Sequence, residues 1–328
     1  MFTFRFLVLA AAGLWLAASA LPGAQTIRED FSGDPVSRGW QRFGDPSLFA
    51  WDAANQALEV TWDSSRPNSY FHRPLGTILT RGDGFSLAFD LRLRDIAIGT
   101  TPGKGFTFQL AIGLLNLRDA TRTNFMRGTG RDSPNLVEFD YFPDSGFGAT
   151  VSPTLISSNR VFASSFNVLA LTPDDDFHVT MSYTPSNQTL VTTMTKNGEE
   201  FGPMRNVVLT NQDFTDFQVD AFAVCSYSDA GQSPGYEGSI LAHGTVDNVE
   251  LTLPDPPVAT VTGTEQGGHW TASFTSQTNW VYTLEATPDF ASWQEVSVVA
   301  PGTGGLLTLT DTNRLGDRAF YRVLAERP

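Results

Sequence analysis

The sequence is poor in cysteine, in positive charge and in histidine. Its 328 residues include one cysteine, Cys225, which excludes an intrachain disulfide. Cys225 follows a run of apolar residues, so we expect a buried and unreactive side chain. Lys and Arg number 21 against 35 Asp and Glu, a net charge of −14. Nucleic acids and anionic membranes attract basic proteins, so neither is an expected partner.

Long apolar segments are also missing, except at the N-terminus. Arg5 precedes an apolar run at residues 6–17 that is too short to span a bilayer, and small residues follow it. This pattern predicts a signal peptide over residues 1–24, with cleavage after Ala24. No later segment is apolar enough to insert into a membrane. We therefore predict a secreted protein, either periplasmic or extracellular.

The composition and the apolar pattern predict an all-β protein. The chain has 25 Phe, 29 Gly and 19 Pro, and apolar runs of strand length recur between turn signals. A short helix within residues 115–125 is the exception. The number of strands indicates a large two-sheet jelly-roll sandwich. The predicted strands are residues 57–62, 85–93, 105–114, 136–142, 154–158, 177–183, 188–196, 217–225 and 244–253.

A proline-rich segment divides the predicted domains. Pro254, Pro256 and Pro257 cannot continue a central strand, so residues 254–257 form a stiff linker. The predicted jelly-roll domain covers residues 25–253, and a small β-sandwich covers residues 258–328. The aromatic residues of the small domain either pack in its core, as alternation favours, or form a platform on which sugars stack. They are Trp270, Trp280, Trp293, Phe320 and Tyr321.

A pair of acids in one predicted strand is the strongest candidate for a site. Side chains alternate along a strand, so Glu138, Asp140 and Phe142 share one face. Phe139 and the residues two positions before and after it share the other face, which we expect to point to the core. Two carboxylates on one face repel unless a metal, a shared proton or a sugar-processing site compensates. The ordinary alternative is hydrogen bonding to loop amides or to Arg127 or Arg131.

Residues 28–253 resemble the concanavalin-A-like lectin and glucanase superfamily. The motifs that carry the resemblance are Asp30-Phe31-Ser32 with Gly39-Trp40, Gly105-Phe106-Thr107-Phe108-Gln109-Leu110, Phe177-His178-Val179-Thr180 with Lys196-Asn197-Gly198, and Gly244-Thr245-Val246-Asp247-Asn248-Val249. The ending Ala319-Phe320-Tyr321-Arg322-Val323 resembles the last strand of fibronectin-III-like modules in secreted bacterial proteins.

The resemblance implies a calcium site at the acid pair. Residues 137–144 resemble the legume-lectin segment V-E-(L/F)-D-x-(Y/F)-x-N, so Asp140, the carbonyl of Phe142 and Asp144 would be calcium ligands. Residues 146–154 lack the further Asp and His of a transition-metal site. Related jelly rolls hold a structural calcium between their first and last strands, where Asp30 (or Glu29) and Asp247 stand. Solvated strand-end acids are the alternative there.

The same resemblance favours binding over catalysis. Phe142 and Pro143 stand where the family's glucanases carry a second catalytic Glu, and Lys104 replaces the sugar-binding Asp of the lectins. We predict an exported carbohydrate-binding protein that recognises a polysaccharide or cell-surface glycan. Two alternatives stay open: a glycoside hydrolase or polysaccharide lyase that uses Glu138 and Asp140, and a structural or adhesive surface protein. The predicted ligand-binding residues are Arg127, Arg131, Glu138, Tyr227 and Tyr236.

Overall fold

The computed structural model describes residues 25–98, 109–127, 132–144, 148–228, 240–266, 268–312 and 319–326. The predicted signal peptide, Lys104, Arg131 and Tyr236 lie outside these ranges. The described chain is mostly β-strand, with one helical turn, α1 (Leu117–Ala120), and 3-10 turns at Pro35–Arg38 and Pro46–Leu48. None of these helices has the length and apolar character needed to cross a bilayer.

The larger part of the chain, residues 25–253, forms two antiparallel sheets. The back sheet has nine strands in the order β13-β12-β11-β6-β16-β4-β3, with β1 on β16 and β14 on β12. The front sheet has seven, in the order β10-β9-β8-β7-β15-β5-β2. The strands are β1 (Gln25–Glu29), β2 (Gln41–Phe43), β3 (Phe49–Asp52), β4 (Ala57–Asp63), β5 (Ser69–Thr80), β6 (Phe85–Ile98), β7 (Leu110–Leu115), β8 (Leu136–Phe142), β9 (Thr150–Ile156), β10 (Phe162–Ser164), β11 (Asp176–Thr184), β12 (Thr189–Lys196), β13 (Glu199–Glu200), β14 (Val207–Val208), β15 (Gln218–Ser226) and β16 (Ile240–Leu253).

The two sheets enclose one large hydrophobic core. Along β6, buried apolar residues alternate with more exposed polar ones, as expected for a strand with one face on a core. Phe89 of the back sheet meets Phe139 of the front sheet edge to face, with ring centroids 5.7 Å apart. Cys225 is buried and has a free thiol, as predicted. The predicted all-β jelly-roll sandwich is confirmed.

The site depends on the other face of the front sheet, which we call the front face. Because Phe139 points to the core, Glu138 and Asp140 point to the front face. Their cross-strand partners on β7 are Gly113 and Ala111. A Cβ atom at Gly113 would lie 2.3 Å from the carbonyl oxygen of Val137, so glycine permits the close approach of β7 and β8. Small residues thus leave room in front of the two acids.

The C-terminal part forms two smaller sheets with a core of their own. Strands β17, β18 and β22 form the β18 sheet, and β20, β21 and β23 join β19 in the β19 sheet. Trp280 is buried, and Trp270 stacks on Tyr321 with ring centroids 4.1 Å apart. Fibronectin-III likeness stays a prediction. The strands are β17 (Val258–Gln266), β18 (His269–Ser276), β19 (Val281–Thr287), β20 (Gln294–Glu295), β21 (Ala300–Pro301), β22 (Leu306–Thr310) and β23 (Phe320–Glu326).

Candidate functional site

An arginine lies between the two predicted site acids. Arg127 donates from Nε to Glu138 Oε2 at 2.8 Å and from Nη2 to Asp140 Oδ2 at 2.6 Å. Its Nη1 donates to Asp132 Oδ1 at 3.0 Å. Arg127, Glu138 and Asp140 are each at most 2% exposed. The hydrogen-bonded alternative considered from the sequence is therefore the observed arrangement.

Local hydrogen bonds hold the segment that carries Arg127. The Asn116 side chain caps α1 by accepting from the Asp119 amide. Beyond the helix, the Ser133 amide donates to the Met126 carbonyl at 2.8 Å, and the Ser133 hydroxyl accepts from the Met126 amide at 2.9 Å. These bonds fix the backbone next to Arg127. The guanidinium is thereby held over β8.

Aromatic rings cover the arginine cluster on one side. The Tyr227 hydroxyl donates to Glu138 Oε1, and the Tyr227 ring stacks on Phe125 with centroids 5.7 Å apart. Tyr70 packs edge to face on both rings and donates its hydroxyl to the Ala120 carbonyl at 3.1 Å. Tyr227 is 1% exposed and Phe125 is 4% exposed. The rings keep water from the carboxylates, which strengthens the ion pairs.

The charges of this cluster do not balance if every acid is ionised. Arg127 always carries its charge, and it faces two fully buried carboxylates as well as Asp132. Burial raises the pKa of Glu138 and of Asp140, and in both cases this effect exceeds the opposing effect of Arg127. Burying an unneutralised carboxylate is costly, so both acids hold a proton more tightly than free carboxylic acids do.

Three side chains on this face have buried polar atoms that make no well-aligned hydrogen bond within the described part of the chain. They are Gln109, His72 and, at Oδ1, Asp140, although Thr154 lies close enough to Asp140 to lower its pKa by hydrogen bonding. Gln109 is 1% exposed and directly precedes β7. Alternation and the β7–β8 register place it on the front face, opposite Phe142 and diagonal to Asp140. An unmade hydrogen bond in a buried site is rare and points to strain or a missing partner.

The predicted calcium ligands are only partly free to bind a cation. Asp140 Oδ2 already accepts from Arg127, whose positive charge would repel a second cation nearby. Phe142 and Asp144 are half-buried at the end of β8. Within the described ranges, no group of at least three His, Cys, Asp or Glu side chains is arranged to hold a metal ion. Calcium bound by Asp140, the Phe142 carbonyl and Asp144 stays a prediction, and the residues around Asp140 fit a guanidinium better.

An arginine also lies on the acids of the second predicted calcium site. Arg38 Nη1 donates to Glu29 Oε1 at 2.8 Å and to Asp30 Oδ1 at 3.0 Å. Ser32 and Arg38 lower the pKa of Asp30 by hydrogen bonding to it. Burial and the nearby Asp90 and Asp30 raise the pKa of Asp247 to about 6. A structural calcium shared by Asp30 and Asp247 likewise remains a prediction.

The structure brings together four of the eight described residues that were predicted as site residues. Arg127, Glu138, Asp140 and Tyr227 form one contiguous hydrogen-bonded cluster. Sequence reasoning missed Gln109 as a site residue, although it lies in a motif that carries the family resemblance. Its neighbours on β8 and β15 are distant in sequence, so no local pattern marks it. Only the register of β7 against β8 shows that Gln109 lies on the front face.

Comparison with known proteins finds likeness only among solved structures. No family model matches the chain, and no curated protein is significantly similar to it. A peanut lectin is 13% identical with a TM-score of 0.45, covering 71% of this chain and 100% of its own. Lectin II from Ulex europaeus is 12% identical with a TM-score of 0.47, covering 71% and 99%. An endo-1,3-beta-glucanase from Streptomyces sioyaensis is 13% identical with a TM-score of 0.40, covering 73% and 100%. At such identities no site residue of these proteins carries over to this chain.

Proposed function

We propose that this is an exported, non-catalytic carbohydrate-binding protein whose glycan contacts the front face. The buried amide of Gln109, which makes no hydrogen bond within the described part of the chain, is the observation that carries the proposal. A buried polar group without a partner costs folding free energy, about 1–3 kcal/mol. Sugar hydroxyls donate and accept hydrogen bonds, so one sugar can satisfy both the NH2 group and the oxygen of the Gln109 amide.

The glycan is expected at the end of the front sheet where β7 begins and β8 ends. Phe142 is half-buried at this end, whereas Arg127 and Tyr227 close the centre of the face. Gln109 lies opposite Phe142, so a sugar bound to its amide would contact Phe142 and not the centre of the face. An aromatic ring next to a few fixed polar groups is a common arrangement in ligand sites. The polysaccharide or cell-surface glycan itself is left to experiment.

The carboxylate pair offers little support for hydrolysis. A retaining glycosidase needs one carboxylate free to attack and one acid free to protonate the leaving group. Here Arg127 binds both Glu138 and Asp140, and Tyr227 binds the other oxygen of Glu138. Neither group faces an open cleft in this arrangement. Release of reducing sugar that disappears in Glu138→Gln would establish the hydrolase alternative.

The structural or adhesive alternative has one specific observation in its favour. The centre of the front face is filled by the protein's own Phe125, Arg127 and Tyr227, each at most 4% exposed. A face filled in this way can serve packing alone. The alternative predicts no binding to any glycan. It also predicts that Gln109 matters only for stability.

Retention on immobilised polysaccharides tests the proposal. The chain from residue 25 is passed over cellulose, chitin, xylan and laminarin, as wild type and as Gln109→Met. We expect retention of the wild type on at least one polymer. Gln109→Met removes the unpartnered amide at similar volume, so we expect affinity to fall about tenfold, as for a lost hydrogen bond of about 1.4 kcal/mol.

The matched control is Gln218→Met, at an exposed glutamine on β15 of the same sheet. It is expected to leave affinity and stability unchanged. Gln109→Met is expected to raise the melting temperature, since a buried group without a partner is removed. Absence of retention on every polymer, or unchanged affinity in Gln109→Met, would contradict the proposal.

A further inference from the structure

The outer face of the β19 sheet carries a group of aromatic rings with a charged pair beside it. Phe290 lies 4.1 Å from Phe320 and 6.1 Å from Trp293, measured between ring centroids. The Arg322 guanidinium lies 4.2 Å from the centroid of Trp293. Arg322 Nε also donates to Glu285 Oε2 at 2.6 Å. We call Phe290, Trp293, Phe320, Arg322 and Glu285 the aromatic platform.

The Phe290 side chain is exposed to solvent, and the Phe290 backbone has an unfavourable conformation. Its φ is +64°, in the left-handed region, and its side chain is 60% exposed. Such a φ is uncommon for a bulky residue and costs conformational energy. The Thr287 hydroxyl accepts from the Phe290 amide at 3.0 Å, and Asp289 Oδ1 accepts from the Ala291 amide at 2.9 Å. The turn therefore holds an exposed ring where glycine would be easier to accommodate.

The polar groups of the platform indicate the chemistry of its ligand. Arg322 and Glu285 neutralise each other, so the platform has no net charge to attract an ion. Arg322 stacks on Trp293 and is thereby fixed in orientation. The neighbouring Gln294 and Glu295 are exposed and polar, so polar groups border the rings on this side. A large protein interface has a wider apolar centre than this. A sugar ring, with one apolar face and hydroxyls at its edge, matches both features.

We propose that the aromatic platform is a second carbohydrate-binding site, with a pyranose ring stacked on Phe290 and hydroxyls bound by Arg322 and Glu285. The inference rests on the proposed function, because both sites would contact the same polysaccharide. Two linked contacts raise the apparent affinity for a long polymer without any new contact at either site. A short oligosaccharide binds each site separately and gains no such advantage.

Saturation-transfer NMR and polymer retention, both on the chain from residue 25, test the inference. The NMR probes are hexasaccharides of cellulose, chitin, xylan and laminarin, and the polymers are the same four. Phe290→Gly removes the ring and relieves the backbone strain. Phe290→Tyr keeps the ring. The matched control is Phe166→Ala, at a ring of the jelly-roll domain that is 55% exposed.

We expect Phe290→Gly to lower the affinity for the long polymer roughly a hundredfold, the low end of what bivalent contact adds. Phe290→Tyr and Phe166→Ala are expected to bind as wild type does. The melting temperature of Phe290→Gly should not fall below that of Phe290→Tyr, because strain is relieved. A ring with a purely structural role would instead lower stability and leave binding intact.

The variants separate this inference from the proposed function. If Phe290→Gly binds like wild type while Gln109→Met does not, the platform is overturned and the front-face site stands. If only Phe290→Gly loses binding, the platform stands and the front-face site fails. Loss in both variants supports both sites. No signal and no retention for wild type with any probe would overturn both.

Discussion

Arg127 is the residue whose removal should disturb the front face most. It is 2% exposed and makes three charged hydrogen bonds, to Asp132, Glu138 and Asp140. Arg127→Met keeps much of the side-chain volume and removes the charge. Two fully buried carboxylates then lose their counter-charge. Removing one partner of a buried ion pair costs about 3–5 kcal/mol, and with three acceptors we expect the upper half of that range.

The loss should appear in the unfolding transition of the jelly-roll domain. For a domain of about 200 residues, 1 kcal/mol corresponds to about 2–4 °C, so we expect a fall of roughly 8–20 °C. Scanning calorimetry at pH 7.5 measures it. The loss of stability in Arg127→Met should become smaller as the pH falls toward 5, because protonated Glu138 and Asp140 no longer need the counter-charge.

Neutralising the acids provides the matched control for Arg127→Met. In Arg127→Met/Glu138→Gln/Asp140→Asn no buried charge is left unpaired, so most of the lost stability should return. A loss below about 1 kcal/mol in the single variant would show that the cluster behaves as an exposed ion pair. A triple variant as unstable as the single one would show that charge is not the cause. Either result would refute the reasoning.

Further predictions concern protonation, backbone packing and calcium. The pKa of Asp140 is raised in the folded state, so wild-type stability should fall as pH rises from about 4 toward that pKa. Asp140→Asn, a mimic of the protonated acid, should flatten this slope in pH-dependent urea unfolding, whereas the exposed Asp213→Asn should not. Gly113→Ala should cost about 1–3 kcal/mol, since its Cβ would clash with the β8 backbone, and Gly84→Ala, with its nearest atom at 3.5 Å, should be almost neutral. Calcium that binds the folded chain through Asp144 or Asp247 should raise the melting temperature, and the rise should be smaller in Asp144→Asn or Asp247→Asn; no rise in wild type would remove both calcium predictions.

Strands with regular alternation could be predicted from the sequence, whereas irregular ones could not. β8 and β12 lie within a residue of their predicted bounds. Buried and exposed positions alternate over most of β12, whereas β8 is a short, almost fully buried apolar run with two acids in it. β5 was missed. It contains Pro74 and Gly76, and its register against β15 shifts between Val219 and Ala221. A bulge in the middle of a strand breaks the period by which strands are recognised.

The two acids of the candidate site could be predicted from the sequence, and so could one of the groups that compensates their charge. Alternation along a single strand suffices to place Glu138 and Asp140 on one face, and Arg127 was among the partners considered. The choice between arginine, a metal and a catalytic role depends on how the segment after α1 folds over β8. That path is set by contacts such as Ser133 to Met126, which no periodicity encodes.

Arginine supplies a counter-charge to acids at each of the two predicted calcium sites. Arg127 binds Glu138 and Asp140 on the front face, and Arg38 binds Glu29 and Asp30 beside the first strand. A guanidinium donates several hydrogen bonds in one plane, so it can fix the orientation of two carboxylates as well as their charge. On the front face, Arg127 also occupies one oxygen of each carboxylate. Under the proposed function, the front face therefore binds its glycan through other groups such as Gln109, and its acids hold the cluster together.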